Sequence, residues 1–164
     1  MAKTITVFST PHPLQGSGFA GYVDDPHYAD LIDDLLSMGV DFVFEEAGGR
    51  KPSIAEGLVE SFLGLGHYMD VDPPPHERHE HGIVSRAKAR PNLLGCEYAA
   101  VEEQRQREEV WMKRIADQPF DKGLMICGLC HCLSFAFQLV AAGINVAGVH
   151  SYMPYSKLCN LQHK

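Results

Sequence analysis

Four short apolar runs, each separated from the next by helical stretches, constrain this chain more than any other feature. Thr4 to Ser9 is β-branched and mostly apolar. Val40 to Phe44 and Leu124 to Cys127 are short runs of the kind found in strands buried on both faces, and Ile144 to Val149 reads as a last strand. Between them the apolar spacing is helical. Tyr28 to Met38 carries Leu31, Ile32, Leu35, Leu36 and Met38, with Asp24, Asp25 and Pro26 as its start and Gly39 as its stop. Pro52 and Ser53 open a second helix reaching about Leu65, with Ile54, Leu58 and Phe62 facing inward. A third helix runs from about Glu97 to Ala116, and a fourth from Leu133 to Ala142, closed by Gly143. Strands alternating with helices imply crossover connections and parallel pairing. The sequence therefore predicts one α/β domain over residues 1–164: a mainly parallel sheet of about four strands, flanked by helices in Rossmann-like layers. One irregular, His- and Pro-rich insert at 66–95 interrupts it, and inserts of that length are usually functional or mobile.

The formal charge of −7 opposes nucleic-acid and anionic-membrane partners, which need a basic face. No apolar run approaches the length of a membrane span, and the N-terminus enters a strand with no signal-peptide core. The five cysteines (Cys96, Cys127, Cys130, Cys132 and Cys159) are odd in number and clustered, which fits a reducing cytoplasm better than a disulfide framework.

Parallel sheets bind ligands beyond the carboxyl ends of their strands. Those ends carry His12, then Glu45, Glu46 and Arg50, then Cys127 to His131, then His150. Glu45 and Glu46 form a carboxylate pair suited to activating water or holding a metal, with Arg50 placed to orient a substrate anion. His131 falls in the first turn of a helix, where the dipole favours neutral imidazole, the form of a general base or metal ligand. Gly16-Ser17-Gly18 brings backbone amides within reach of a ligand. Arg107 and Glu108 lie near the buried stripe of the third helix, defined by Val101, Trp111 or Met112, and Ile115. His76, His79 and His81, among Asp70, Asp72, Glu77 and Glu80, form a second, weaker metal candidate. His150, Tyr152 and Tyr155 suit a substrate pocket, and the aromatic run from Tyr152 to Tyr155 equally suits a contact between two copies. Cys127-Gly128-Leu129-Cys130 is a CxxC at a strand-to-helix junction, the place of a thiol redox pair. There is no GxGxxG and no P-loop, so nucleotide binding has no support.

Taken together, these positions resemble the superfamily joining TraB and TIKI proteins, erythromycin esterase and ChaN. Its pattern has a histidine after the first strand, matched by His12, and a glutamate ending the second, matched by Glu45 with Glu46 as rival. An Arg-Asp/Asn-x-x-Met helix follows, matched by Arg107-Glu108 with Trp111 in place of Met. A Gly-x-x-His turn (Gly128 to His131) then leads into Leu-x-x-x-Gly-x-x-Val (Leu139 to Val146). The resemblance implies a cleft where His12, Glu45 and His131 converge. It implies either acid–base hydrolysis of an ester or amide, or a divalent metal on those three residues with its bound water as nucleophile; haem is the weaker cofactor expectation. The leading expectation is a small hydrolase acting on a small molecule or peptide. A non-catalytic ligand- or metal-binding module and a thiol redox protein stand as alternatives.

Overall fold

A computed structural model of the chain describes residues 2–64, 66–83, 90–91, 97–98 and 101–154. The strands are β1 (Thr4–Ser9), β2 (Phe42–Glu45), β3 (Tyr68–Asp70), β4 (Arg90–Pro91), β5 (Glu97–Tyr98), β6 (Lys122–Cys127) and β7 (Asn145–Ser151). The helices are α1 (Pro26–Ser37), α2 (Ile54–Phe62), α3 (Val101–Ala116) and α4 (Cys132–Ala141). Five strands form one parallel sheet in the order β3-β2-β6-β1-β7, while β4 and β5 make a short antiparallel ladder. The α/β architecture is as the sequence predicts.

Side chains alternate across each strand, so each strand feeds both layers. Ile5, Val7, Phe44 and Met125 pack with Trp111 and Ile115 of α3 and Phe135 and Leu139 of α4. On the other face Phe8, Val43, Leu124 and Ile126 pack with Tyr28, Ile32 and Leu36 of α1 and Ala55 and Val59 of α2. The central strand β6 is buried from Gly123 to Cys127, which explains its continuous apolar run.

Several local expectations are corrected. The fifth strand, β3, lies inside the insert; three residues are too few to show a period. The third helix begins at Val101, because Glu97 and Tyr98 belong to β5. The second begins at Ile54, with Ser53 as its cap accepting from the Glu56 amide at 3.3 Å. Its buried residues are Ala55 and Val59, whereas Phe62 is exposed, as is Met38 beyond α1. Gly16 and Gly18 do not present a cradle. They lie against the Lys51–Pro52 backbone, where a Cβ would approach the carbonyl oxygens to 2.3 and 2.4 Å. Among the described residues no helix is long and apolar enough to cross a membrane.

Candidate active site

Three strand ends build the site. Phe8 and Glu45 both stand beside Ile126 of the central strand, so the residues just beyond them meet at one edge. The Glu46 amide donates to the Ile126 carbonyl at 2.9 Å, and the Gly128 amide returns a bond to Glu46 Oε2 at 2.8 Å. His12 stands over the same turn. A Cβ at position 128 would lie 2.8 Å from His12 Nε2 and 3.3 Å from Glu46 Oε2, so glycine permits their approach.

His12 has its Nδ1 2.8 Å from Gln15 Oε1, which identifies Nδ1 as the protonated nitrogen because an amide oxygen only accepts. Its Nε2 is 3.5 Å from Glu46 Oε1. The His12 side chain is 36% exposed and that of Glu46 only 1%. One edge of a buried charge network thus opens to solvent at His12. Phe19 stacks on the His12 ring at 6.1 Å, and the Arg50 guanidinium lies 5.5 Å from the Phe19 ring centre. Arg50 also donates to the Ala47 carbonyl at 3.1 Å, which holds it at the same mouth.

Behind His12 the network is ionic. Arg107 donates through Nε and Nη2 to the two Asp72 carboxylate oxygens at 2.8 and 2.9 Å, and Nη2 also donates to Glu46 Oε1. Arg78 reaches Asp72 Oδ2 at 3.0 Å, and Trp111 Nε1 donates to Asp72 Oδ1 at 3.0 Å. His131 Nδ1 is 2.7 Å from Glu108 Oε1, and its Nε2 is 3.4 Å from Glu46 Oε1. Glu108 also accepts from Ser134 at 2.7 Å and from Gln138. Glu46, Asp72 and Glu108 are therefore matched by Arg78, Arg107 and His131, as buried charges require.

The network overrides the local expectation of a neutral His131. Burial alone would lower its pKa, but the charge of Glu46 and the bond to Glu108 raise it to about 10. As an imidazolium, His131 donates from Nδ1 to Glu108 and faces Glu46 Oε1 with Nε2 as an ion pair. Its 3.4 Å approach to Arg107 Nη1 is then two cations sharing Glu46, not a hydrogen bond. Burial would raise Glu46, but His131, Arg107, His12 and the Gly128 amide hold it well below the usual carboxylate range.

Glu45 is elsewhere. Adjacent residues leave a strand on opposite faces, so Glu45 turns toward α1 and α2 while Glu46 turns toward α3 and α4. It is Glu46, not Glu45, that joins His12 and His131. Glu45 Oε2 accepts from Ser53 and from Tyr68 at 2.7 Å, and Oε1 has no hydrogen-bond partner among the described residues. Burial raises its pKa to about 7, against the two hydroxyl bonds. A carboxyl whose pKa is higher folded than unfolded is most stabilising when protonated. Its contribution is complete below about pH 4.5 and is lost as pH rises through about 7. Glu45→Gln keeps the acceptor for Ser53 and Tyr68 and removes the ionisable group. Urea titrations should show the wild type losing about 3 kcal/mol between those pH values relative to the variant. Parallel profiles would refute the burial argument.

The remaining expected residues are scattered. His76 is 80% exposed and lies beside Glu77. His79 and His81 are exposed too, and His81 Nε2 lies 3.4 Å from Arg114, so the three histidines do not converge. The insert instead contributes Asp72 and Arg78. Asp70 fixes the loop after β2, accepting from the amides of Ala47, Gly48 and Gly49 at 3.0, 3.0 and 2.6 Å. His150 folds back over Gly148 on β7. Tyr152 donates to Asp25 at 3.0 Å and packs on the α1 layer. Tyr155 lies outside the described residues, as do Cys96 and Cys159. Cys127 is buried, and burial followed by the Glu46 charge raises its thiol pKa, which keeps it protonated and opposes the redox reading.

Arg78 and Gln15 are not singled out in the sequence, and Asp72 stands there only as one carboxylate of the weaker, histidine-rich metal candidate. Asp72 carried little signal, because it follows β3, a strand too short to read from the sequence. A metal fits this donor set poorly. Glu46, the carboxylate between His12 and His131, already receives the Arg107 guanidinium, and His131 is itself a cation. Among the described residues no group of three or more His, Cys, Asp or Glu side chains is arranged to hold a metal ion. Comparison with protein-family models, curated proteins and solved structures gives no match to this chain.

Proposed function

We propose that the chain is a metal-independent hydrolase of carboxylic esters or amides, with His12 as general base. The observation that carries this reading is the half-open His12 ring. Gln15 holds its Nδ1–H, and its Nε2 lone pair points to the same space as Glu46 Oε1. A water donating to both atoms keeps a lone pair free for attack. Nε2 takes the water proton as oxygen bonds to the carbonyl carbon. The same proton then passes to the leaving oxygen or nitrogen as the acyl bond breaks. Arg107 and His131 keep Glu46 ionised behind the ring, so Glu46 orients the water and stabilises the imidazolium that forms.

Arg50 supports a substrate with an anionic group. The cations deeper in the site are matched by carboxylates, whereas Arg50 donates to the Ala47 carbonyl at the mouth. The acidic net charge fits a small molecule or peptide better than a nucleic acid.

The test uses untagged protein on a panel of aryl esters and anilides, each with and without a carboxylate on the acyl side. Turnover that survives chelator and favours the carboxylate-bearing members is expected. Saturable binding without turnover would replace the hydrolase with a binding module, and activity abolished by chelator would restore the metal reading.

A further inference from the structure

The outer flank of α4 and the free edge of β7 form one surface that the proposed chemistry does not use. An α-helix turns about 100° per residue, so its side chains can be assigned to flanks. Cys132, Phe135, Ala136 and Leu139 face the sheet. Ser134 and Gln138 face α3, where both bond to Glu108. Leu133, Phe137 and Val140, spaced i, i+4, i+7, make the third flank, opposite α3. They are 65%, 74% and 61% exposed.

The sheet order shows what lies beneath that flank. α4 packs over β1 and β7, and α3 over the strands on the other side, so the apolar flank overhangs the β7 edge. Among the described residues β7 pairs with β1 alone. Val149 on this strand is 40% exposed. Neither α4 nor β7 contains Asp, Glu, Lys, Arg or Pro. Edge strands of monomeric proteins usually carry such residues on the open side to block pairing.

We infer that two copies of this chain associate through β7 and the Leu133–Phe137–Val140 flank of α4 about a twofold axis. The occupant is a second copy for two reasons. A chain of charge −7 associates with its own kind most readily where charge is absent, and neither element of this face carries Asp, Glu, Lys or Arg. The free groups of an edge strand are complemented by another edge strand. Antiparallel pairing of β7 with its mate does this isologously and brings the two α4 flanks together.

Sedimentation equilibrium of the untagged full chain across micromolar concentrations tests the inference. Twice the chain mass is expected for the wild type. Phe137→Glu and Val149→Lys each place like charges across the axis and should weaken association ~100-fold or more. Both side chains are exposed in the single chain, so its circular dichroism should be unchanged. A monomeric wild type, or a dimer indifferent to both substitutions, would overturn the inference.

Discussion

Replacing Arg107 by Met will cost about 3–5 kcal/mol of folding stability, the range for breaking a buried ion pair from one side. Arg107 Nη2 serves Glu46 and Asp72 together, and Nε serves the second Asp72 oxygen. Met fills much of the volume but donates nothing, so two fully buried carboxylates lose their shared cation. For a chain of this size the melting temperature should fall by roughly 10 °C. Arg107→Lys should recover little, because one ammonium cannot reproduce the planar fork that spans both acids. Arg78→Met is the control. Arg78 is less buried, and its removal leaves Asp72 with Arg107, so the loss should be a fraction as large. Thermal unfolding followed by circular dichroism decides the matter. An Arg107→Met protein melting within 2 °C of the wild type would show that the network carries no net stability.

The second large effect falls on activity. His12→Ala is expected to lower kcat on the best ester of the panel by roughly 10²–10⁴, the usual contribution of a positioned base. Stability should change little, since the ring is part-exposed and sits at the rim of the network. Added imidazole should restore part of the rate to His12→Ala, because it can enter the space vacated beside Glu46. A merely structural histidine would show no such rescue. Glu46→Gln should lower the rate as well, but it also strips the charge that matches Arg107 and His131, so its melting temperature should drop. Undiminished hydrolysis by His12→Ala would remove His12 from the chemistry and with it the proposed mechanism.

The α/β alternation was legible along the chain because apolar periodicity is local. A run such as Leu124 to Cys127 reads as a buried strand wherever it sits in the sheet. The concentration of ionisable residues at strand ends was legible for the same reason: the end of an apolar run is visible in sequence, and His12, Glu46 and His131 all stand just past one. The strand β3 was not legible, because Tyr68 to Asp70 is too short to establish a period. The insert drew attention through its histidines, yet its structural contribution is Asp72 and Arg78, which sequence density did not distinguish from their neighbours.

Other matters depended on which elements became neighbours. The sequence presents Glu45 and Glu46 as rivals. The pleat of β2 separates them, sending one to Ser53 and Tyr68 and the other to Arg107 and His131. Local position at a helix start argued for a neutral His131. Glu46 and Glu108, brought in from β2 and α3, made it a cation, because two close carboxylates outweigh a partial dipole charge. The sequence alone determined the class of fold and the edge of the sheet that carries the charged residues, since both follow from patterns among chain neighbours. Only the tertiary structure decided which acid faces which base, since Coulomb energy depends on distance through space and on burial, and neither is written in the spacing of residues.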